Sequence, residues 1–147
     1  GYTLQSSLYD RPFEWAENSD LPAQRKMFRT PDSYGYFTST WNIAPRFRAS
    51  LFGTYTGTML VQHTFYNAQT DSMQDAETLT PDFFDMGLKL AYTFRLSTSV
   101  NLELSAGVKN IFNSYQKDLD FGPLKDAGYV YGPALPRMFF AGLKLTM

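Results

Sequence analysis

Few residues in this chain could act in catalysis or bind a metal ion. A single histidine, His63, and the absence of cysteine leave no ordinary set of zinc ligands within the chain. The chain also has no glycine-rich phosphate loop and no serine nucleophile motif. We therefore expect no enzyme activity, no metal site and no cofactor. We expect His63 to be a solvated residue at the start of a polar loop.

Acidic residues offer a second type of chemistry, because carboxylate oxygens are the ligands that calcium prefers. They form two groups in polar stretches, one with Asp71, Asp75 and Glu77 and the other with Asp118 and Asp120. Their spacing matches no defined calcium-binding loop. We expect these side chains to be solvated charges and not ligands of a cation.

Aromatic residues in the polar stretches are the better candidates for ligand contact. Binding residues are often found in loops, and a rigid ring with a polar edge can stack on a ligand and still form a hydrogen bond. The same rings could instead pack the loops together. The predicted ligand-contacting residues are Trp15, Phe65, Tyr66, Tyr115, Tyr129 and Tyr131.

The overall composition argues against some classes of protein. A formal net charge of −1 over 147 residues gives no reason to expect a nucleic-acid partner. No run of about eighteen apolar residues occurs, so no transmembrane helix is expected. Ten Tyr and thirteen Phe would be enough to form the two aromatic belts of a membrane-spanning β-protein.

Segments between the polar stretches alternate apolar and polar residues with a period of two, which is the pattern of β-strands. The clearest one covers residues 100–112. It exceeds the five or six residues usual in soluble domains and reaches the nine to eleven that a tilted strand needs to cross a bilayer. The pattern predicts an all-β protein with six long strands, at residues 2–9, 34–43, 47–61, 83–95, 100–112 and 137–147.

The predicted connections alternate in length, in the order long, short, long, short and long. Outer-membrane barrels have short turns on the periplasmic side and long loops outside. The order therefore predicts an antiparallel up-and-down meander that forms part of a transmembrane β-barrel. Two aromatic belts follow from it, with Tyr2, Trp41, Phe47, Tyr92 and Phe94 near the short turns and Tyr9, Tyr34, Phe84, Phe112 and Phe139 near the long loops.

Two segments near the end of the chain resemble TonB-dependent outer-membrane receptors. The first is VKNIFNSY (108–115), which is similar to the V-x-N-[LI]-F-[ND]-x-x-Y motif of that family, with one residue instead of two before the final Tyr. The second is PRMFFAGLKLTM (136–147), which is similar to the family's last strand except that Met147 stands where Phe or Trp is usual. The residues that match the family motifs are Asn110, Phe112, Asn113, Pro136 and Arg137.

The resemblance implies a location and a function. Residues 1–147 would be the C-terminal portion of a barrel of roughly 22 strands in the outer membrane of a Gram-negative bacterium, with the plug domain absent from this chain. The implied function is TonB-energised uptake of a scarce, bulky nutrient such as a siderophore, haem, cobalamin or an oligosaccharide. The implied partners are the plug and upstream strands, the TonB complex through an upstream segment, outer-membrane lipid, the nutrient and a surface lipoprotein.

Two other classes of protein remain open from the residues alone. One is a small structural or adhesive β-protein of the outer membrane or the cell exterior. The other is a soluble ligand-binding barrel. A soluble barrel would stay monomeric without detergent, whereas an incomplete sheet with free edges would pair with other chains.

Overall fold

Every regular element in this protein's computed structural model, which describes residues 1–16 and 20–147, is a β-strand. All the strand pairs are antiparallel, so the prediction of an all-β antiparallel protein is confirmed. No helix that could cross a membrane is found in the described ranges. The strands are β1 (Tyr2–Leu4), β2 (Leu8–Phe13), β3 (Gln24–Lys26), β4 (Ser33–Ala44), β5 (Phe47–Thr56), β6 (Leu60–Asn67), β7 (Ser72–Leu79), β8 (Phe83–Arg95), β9 (Asn101–Lys109) and β10 (Met138–Thr146).

Six strands form one sheet in the order β1-β4-β5-β8-β9-β10. The sheet is open, with β1 and β10 at its two edges. Apart from the three-residue β1, its strands have between 9 and 13 residues. The other four strands form two separate two-stranded sheets, β2 with β3 and β6 with β7.

The register gives the six-stranded sheet two different faces. Leu51 pairs with Leu88, Leu88 pairs with Val108, and Val108 pairs with Phe139, which places apolar side chains of four strands in one row. Because neighbouring residues of a strand point to opposite faces, the residues between them form the second face. The apolar face carries Tyr2, Leu4, Phe37, Trp41, Phe47, Ala49, Leu51, Tyr55, Phe84, Met86, Leu88, Leu90, Tyr92, Phe94, Leu102, Leu104, Ala106, Val108, Phe139, Ala141, Leu143 and Leu145.

The second face is mostly polar. Arg48 and Glu103 form an ion pair across it, with 2.5 Å between Nη2 and Oε2. Phe52 is an exception to the polar pattern. Its ring covers Gly87 so closely that a Cβ atom there would lie 2.3 Å from it, which shows that Phe52 fills the space left by the missing side chain of Gly87.

The structure corrects the bounds of three predicted strands. The predicted strand 2–9 is divided into β1 and β2. β1 ends at Leu4, because its partner Ser33 is the first residue of β4, and the chain then forms β2, which pairs with β3 outside the six-stranded sheet. The predicted strand 47–61 ends at Thr56, since the ladder stops near Pro81, which has no N–H to donate. The predicted strand 100–112 ends at Lys109, before Asn110 with its positive φ of 51°.

Two of the predicted long loops contain hairpins. Residues 10–33 include part of β2 and all of β3, and residues 62–82 include most of β6 and all of β7. Polar side chains bond across the β6–β7 hairpin, with Thr64 donating to Asp75 at 2.7 Å and Asn67 to Gln74 at 2.8 Å. Such polar pairs stabilise a hairpin but leave no apolar alternation in the sequence.

The predicted aromatic belts need three corrections. Tyr2 pairs with Gly35 and stacks on Tyr55, with 6.3 Å between ring centres, so it lies at the end of the long connections. Tyr9 lies in β2 against Phe13, outside the six-stranded sheet. Tyr34, which pairs with Thr56, is at the predicted end but on the polar face.

Candidate functional site

The three long connections pack against one another at one end of the six-stranded sheet. We call residues 5–32 the first connection, residues 57–82 the second and residues 110–137 the third. Glu77 joins the first two, since its carboxylate accepts from Trp15 Nε1 at 3.0 Å and from Gln24 Nε2 at 2.6 Å. Arg29 joins all three, because its N–H donates to Leu60 O at 2.8 Å and its Nη2 to Gly128 O at 2.7 Å.

The base of the third connection is closed by two asparagines of the family-like motif. Asn110 and Asn113 adopt φ values of 51° and 56°, a left-handed conformation that asparagine tolerates better than most residues. Nδ2 of Asn110 donates to Ser114 O and to Leu135 O, both at 3.1 Å. Oδ1 of Asn113 accepts from the N–H of Arg137 at 2.9 Å. The two side chains thus hold the start of the connection against its end.

The remaining motif residues lie around this closure. Phe112 projects onto the apolar face and stacks on Phe84, with 5.6 Å between the ring centres. Pro136 and Arg137 are exposed and lead directly into β10. The motif therefore has a structural explanation in this chain, which is to shape the connection between β9 and β10.

Gln116 holds the interior of the third connection together. Its side chain is among the largest that are fully buried, and the residue is only 2% exposed. Nε2 donates to Tyr129 O at 3.0 Å, while Oε1 accepts from the N–H groups of Tyr131 at 2.9 Å and Gly132 at 3.3 Å. A single side chain thus satisfies three backbone groups on the opposite arm of the connection, one buried and two partly buried.

His63 is not the solvated loop residue that the sequence suggests. It lies in β6, and its side chain is 16% exposed. Its ring stacks on Tyr129 with 3.7 Å between ring centres and 12° between planes. Nε2 lies 2.9 Å from Asp120 Oδ2. The expectation was wrong because both partners come from the third connection, more than fifty residues further along the chain.

Asp118 accepts hydrogen bonds from two phenols. Tyr131 Oη lies 2.6 and 2.7 Å from its two oxygens, and Tyr129 Oη lies 3.0 Å from one of them. Burial acts to raise the pKa of Asp118, but the bonds from Tyr131 and Tyr129 outweigh it and hold this pKa below its ordinary value. Burial, followed by the nearby carboxylate, raises the pKa of Tyr131. Near neutral pH the carboxylate is therefore charged and the phenols are neutral.

Asp120 is held by two donors. The hydrogen bond with His63 lowers the pKa of Asp120 most, burial acts in the opposite direction, and the bond from the N–H of Asp126 lowers it further. Asp120 Oδ2 accepts that N–H at 3.1 Å, and Asp126 in turn accepts from the N–H of Thr64 at 3.2 Å. The carboxylates of Asp118 and Asp120 therefore act as hydrogen-bond acceptors within the packed connections.

An open cleft of about 450 Å³ lies beside this network. Its chemistry is mixed, with the carboxylates of Asp82 and Asp118, the ammonium of Lys117 and three aromatic rings. Lys117 Nζ lies 5.9 Å from the centre of the Tyr115 ring. Rings beside charged groups can hold a small polar ligand by stacking and hydrogen bonding. The cleft is lined by Pro81, Asp82, Phe83, Asn113, Ser114, Tyr115, Gln116, Lys117, Asp118 and Tyr131.

The six aromatic residues predicted to contact a ligand have different positions. Tyr115 and Tyr131 line the cleft. Tyr129 is 4% exposed, and Trp15 packs against Phe28 and bonds to Glu77. Phe65 lies beside His63, and Tyr66 donates to Asp71. Two of the six thus border the cleft, while four make contacts within the loops.

The acidic residues are also more engaged than expected. Asp71, Asp75, Glu77, Asp118 and Asp120 all accept hydrogen bonds from protein groups. These five side chains are therefore hydrogen-bonded to the protein and not simply solvated, as the sequence had led us to expect. In the described ranges no three His, Asp or Glu side chains are grouped so that they could hold a metal ion.

Comparison with protein-family models, with curated proteins and with solved structures finds no match to this chain. A function is therefore inferred from the residues themselves. The two most informative features are the exposed apolar face of the six-stranded sheet and the packed connections at one of its ends.

Proposed function

We propose that the six-stranded sheet is part of the wall of a transmembrane β-barrel. The observation that carries the proposal is the continuous and exposed apolar face. Even in the middle of the sheet, Leu90 and Leu104 are 40% and 39% exposed, and Phe139 near the edge is 80% exposed. A soluble domain buries such a face beneath a second layer. Lipid is the environment in which it would be stable without one.

The dimensions of the apolar face support this proposal. Rows of aromatic rings flank it, with Phe37, Phe84 and Phe112 at one end and Trp41, Tyr92 and Phe94 at the other. Ten residue steps separate Phe84 from Phe94 along β8, which is about 33 Å of strand. If the strand is tilted by the usual angle of about 40°, the two aromatic rows are about 25 Å apart along the membrane normal. This distance is the height of the apolar band of an outer-membrane barrel.

The connections give the wall an orientation. Short turns join β4 to β5 and β8 to β9, whereas the three long connections lie at the opposite end. In outer-membrane barrels the short turns are periplasmic. The packed connections and their cleft would therefore lie outside the cell, where a ligand arrives.

The resemblance to TonB-dependent receptors gives the proposal its finer form. The chain would be the C-terminal part of a receptor for a siderophore, haem, cobalamin or an oligosaccharide. Support comes from the two motif asparagines, which close the connection that forms one side of the cleft. Tyr115 and Tyr131 are the residues most suited to contact the nutrient. Energy would come from the TonB complex, through a segment upstream of this chain.

The orientation can be tested with single cysteines in a full-length protein from which any cysteine outside residues 1–147 has been removed, since residues 1–147 contain none. Lys125 and Thr98 are both exposed, the first in the third connection and the second in a short turn. In the full-length protein on intact cells, we expect a membrane-impermeant maleimide to label Lys125→Cys. Thr98→Cys should react only after the outer membrane is permeabilised. Equal labelling of both on intact cells, or labelling of neither after permeabilisation, would contradict the proposed wall.

The transport function needs a separate test. Cells that produce the full-length protein would be screened for uptake of labelled siderophores, haem, cobalamin and oligosaccharides, with and without a functional TonB complex. We expect TonB-dependent uptake of one class, weakened by replacing Tyr115 and Tyr131 with Ala. If a correctly oriented protein takes up none of these nutrients, the proposed transport function is rejected, whereas the proposed barrel wall is not.

A further inference from the structure

Tyr131 is fixed in place where it lines the cleft. Its N–H donates to Gln116 Oε1 at 2.9 Å, and its hydroxyl lies 2.6 and 2.7 Å from the two oxygens of Asp118. Its ring packs against Phe83, with 6.0 Å between the ring centres. These contacts hold a ring that is still partly exposed in the cleft. A ring that is positioned before a ligand arrives loses little conformational entropy on binding.

The cleft borders the polar face of the six-stranded sheet. Phe83 points to this face, because its neighbour Phe84 points to the apolar one. Phe83 is buried beneath Tyr131 and Gly132, so closely that a Cβ atom on Gly132 would lie 2.5 Å from its ring. The third connection therefore folds over the polar face, which would line the lumen of the proposed barrel.

Negative charge is in excess among the residues that line the cleft. In the described part of the chain these residues include two carboxylates, Asp82 and Asp118, and one cation, Lys117. Hydrogen bonds hold the pKa of Asp118 below its ordinary value, so this carboxylate is charged near neutral pH. An anionic ligand, such as a ferric tricatecholate or a haem with its propionates, would be repelled by this excess.

Neutral hydrogen-bond donors accompany the carboxylates. Asn113 accepts from the N–H of Arg137 through Oδ1 at 2.9 Å, and within the described ranges its Nδ2 has no partner, so it can donate to a ligand. The Ser114 hydroxyl accepts from the N–H of Phe84 at 3.3 Å and keeps its own hydrogen to donate. Acceptors and donors together match hydroxyl groups, since a hydroxyl can both donate and accept.

We propose that the cleft binds a neutral oligosaccharide. The C–H groups on one face of a sugar ring would pack on the rings of Tyr115 and Tyr131. Sugar hydroxyls would donate to the carboxylate of Asp82 and accept from Asn113 and Ser114. The proposal rests on the proposed function, because it narrows the transported nutrient to one class.

Binding would be measured by calorimetry on the full-length protein purified in detergent, which requires neither a membrane nor the TonB complex. The neutral probes are maltohexaose, cellohexaose, xylohexaose and mannohexaose. The charged probes are haem, a ferric tricatecholate and a ferric trihydroxamate with a free amine. We expect at least one neutral probe to bind, with the same affinity in about 0.05 and 0.5 M NaCl, because a neutral ligand forms no ion pair that salt could screen. Binding of a charged probe alone, or of no probe, would overturn the proposal.

The same measurement separates this proposal from the transport function. A sugar that is bound but not taken up by cells would support the saccharide site and reject transport. A charged nutrient that is bound and taken up would reject the saccharide site and support transport.

Two substitutions locate the site. Tyr115→Ala should weaken binding of the sugar about ten-fold by removing the ring on which it packs. Asp82→Asn should weaken it by a similar factor, about ten-fold, by removing a charged acceptor, whereas the same change would strengthen the binding of an anion. The controls Tyr9→Ala and Asp10→Asn change a ring and a carboxylate outside the cleft and should leave the affinity unchanged. Parental affinity in both cleft variants would show that the sugar binds elsewhere and would overturn the proposal.

Discussion

At the scale of single residues, one buried polar side chain joins the two arms of the third connection. Gln116 bonds to backbone groups of three residues while being almost completely buried. The exposed Asp118 accepts hydrogen bonds from the two phenols. A buried polar group that loses its partner costs about 1–3 kcal/mol, so the loss of the Gln116 amide would weaken this connection.

The first prediction concerns Gln116. Gln116→Leu has a similar size but leaves Tyr129 O and the N–H groups of Tyr131 and Gly132 without partners, so we expect a loss of about 2–4 kcal/mol in the local stability of the connection. Hydrogen exchange of the amides of residues 128–133 would measure it. The neighbouring exposed Lys117→Leu should change that stability by about 0.5 kcal/mol or less. Equal exchange in the two variants would contradict the role of Gln116.

The second prediction concerns acid. The pKa values of Asp118 and Asp120 are lowered in the folded connection, so both carboxylates stabilise it above the ordinary pKa of aspartate, about 3.9, and this contribution is lost as the pH falls through their lower folded values. We expect the third connection to become sensitive to a protease active in acid as the pH is lowered from about 5 to 2. Asp118→Asn should reduce this pH dependence, and the same substitution at the exposed Asp10 should not. A connection equally resistant throughout that range would refute the prediction.

At the scale of elements, the strands carry their information in the register. Ala106 pairs with Leu90, midway between the two aromatic rows, and Ser105 pairs with Ala91 on the opposite face. In the proposed wall, Ala106 would face lipid and Ser105 would face the lumen. The distinction depends only on the period of two and on which face is apolar.

The third prediction uses this adjacent pair in the full-length protein. Ala106→Arg would place a charge near the middle of the bilayer at a cost of about 2–4 kcal/mol, whereas Ser105→Arg would place it on the polar face. We expect a lower amount of Ala106→Arg in the outer membrane and a lower resistance to heat in detergent. Equal amounts and equal heat resistance of the two variants would show that the apolar face does not contact lipid.

At the scale of the whole molecule, the sheet has two unpaired edges and one uncovered face. β10 presents nine residues along one edge, and β4 is paired with β1 through only three residues along the other. Such edges pair with other strands, and such faces associate in water. In the proposed wall, these edges and this face would be covered by neighbouring strands and by lipid.

The fourth prediction follows from these edges. Residues 1–147 expressed alone should need detergent or associate through their edges, because no described segment covers the apolar face. Size-exclusion chromatography with and without detergent would measure this. A monodisperse monomer in plain buffer that unfolds cooperatively would favour the soluble ligand-binding barrel over the membrane wall.

The two faces of the long strands follow from the amino-acid sequence. In residues 83–95 and 101–109 the alternation alone identifies which side chains lie on the apolar face, because the period of a strand is a local property of the backbone. The alternation of long connections with two short turns is likewise evident from the sequence. The sequence identifies the motif asparagines by residue type, but it does not reveal the left-handed backbone conformation that they adopt.

The packing of the connections depends on contacts between segments that are far apart in the sequence. The β6–β7 hairpin is stabilised by bonds such as Thr64 to Asp75, which leave no periodic trace in either strand. The partners of His63 lie far along the chain, and the cleft combines residues near 82, 116 and 131. No local pattern encodes such contacts, since each depends on the positions of strands that are already paired. The faces of the sheet follow from neighbours in sequence, whereas the site follows from neighbours in space.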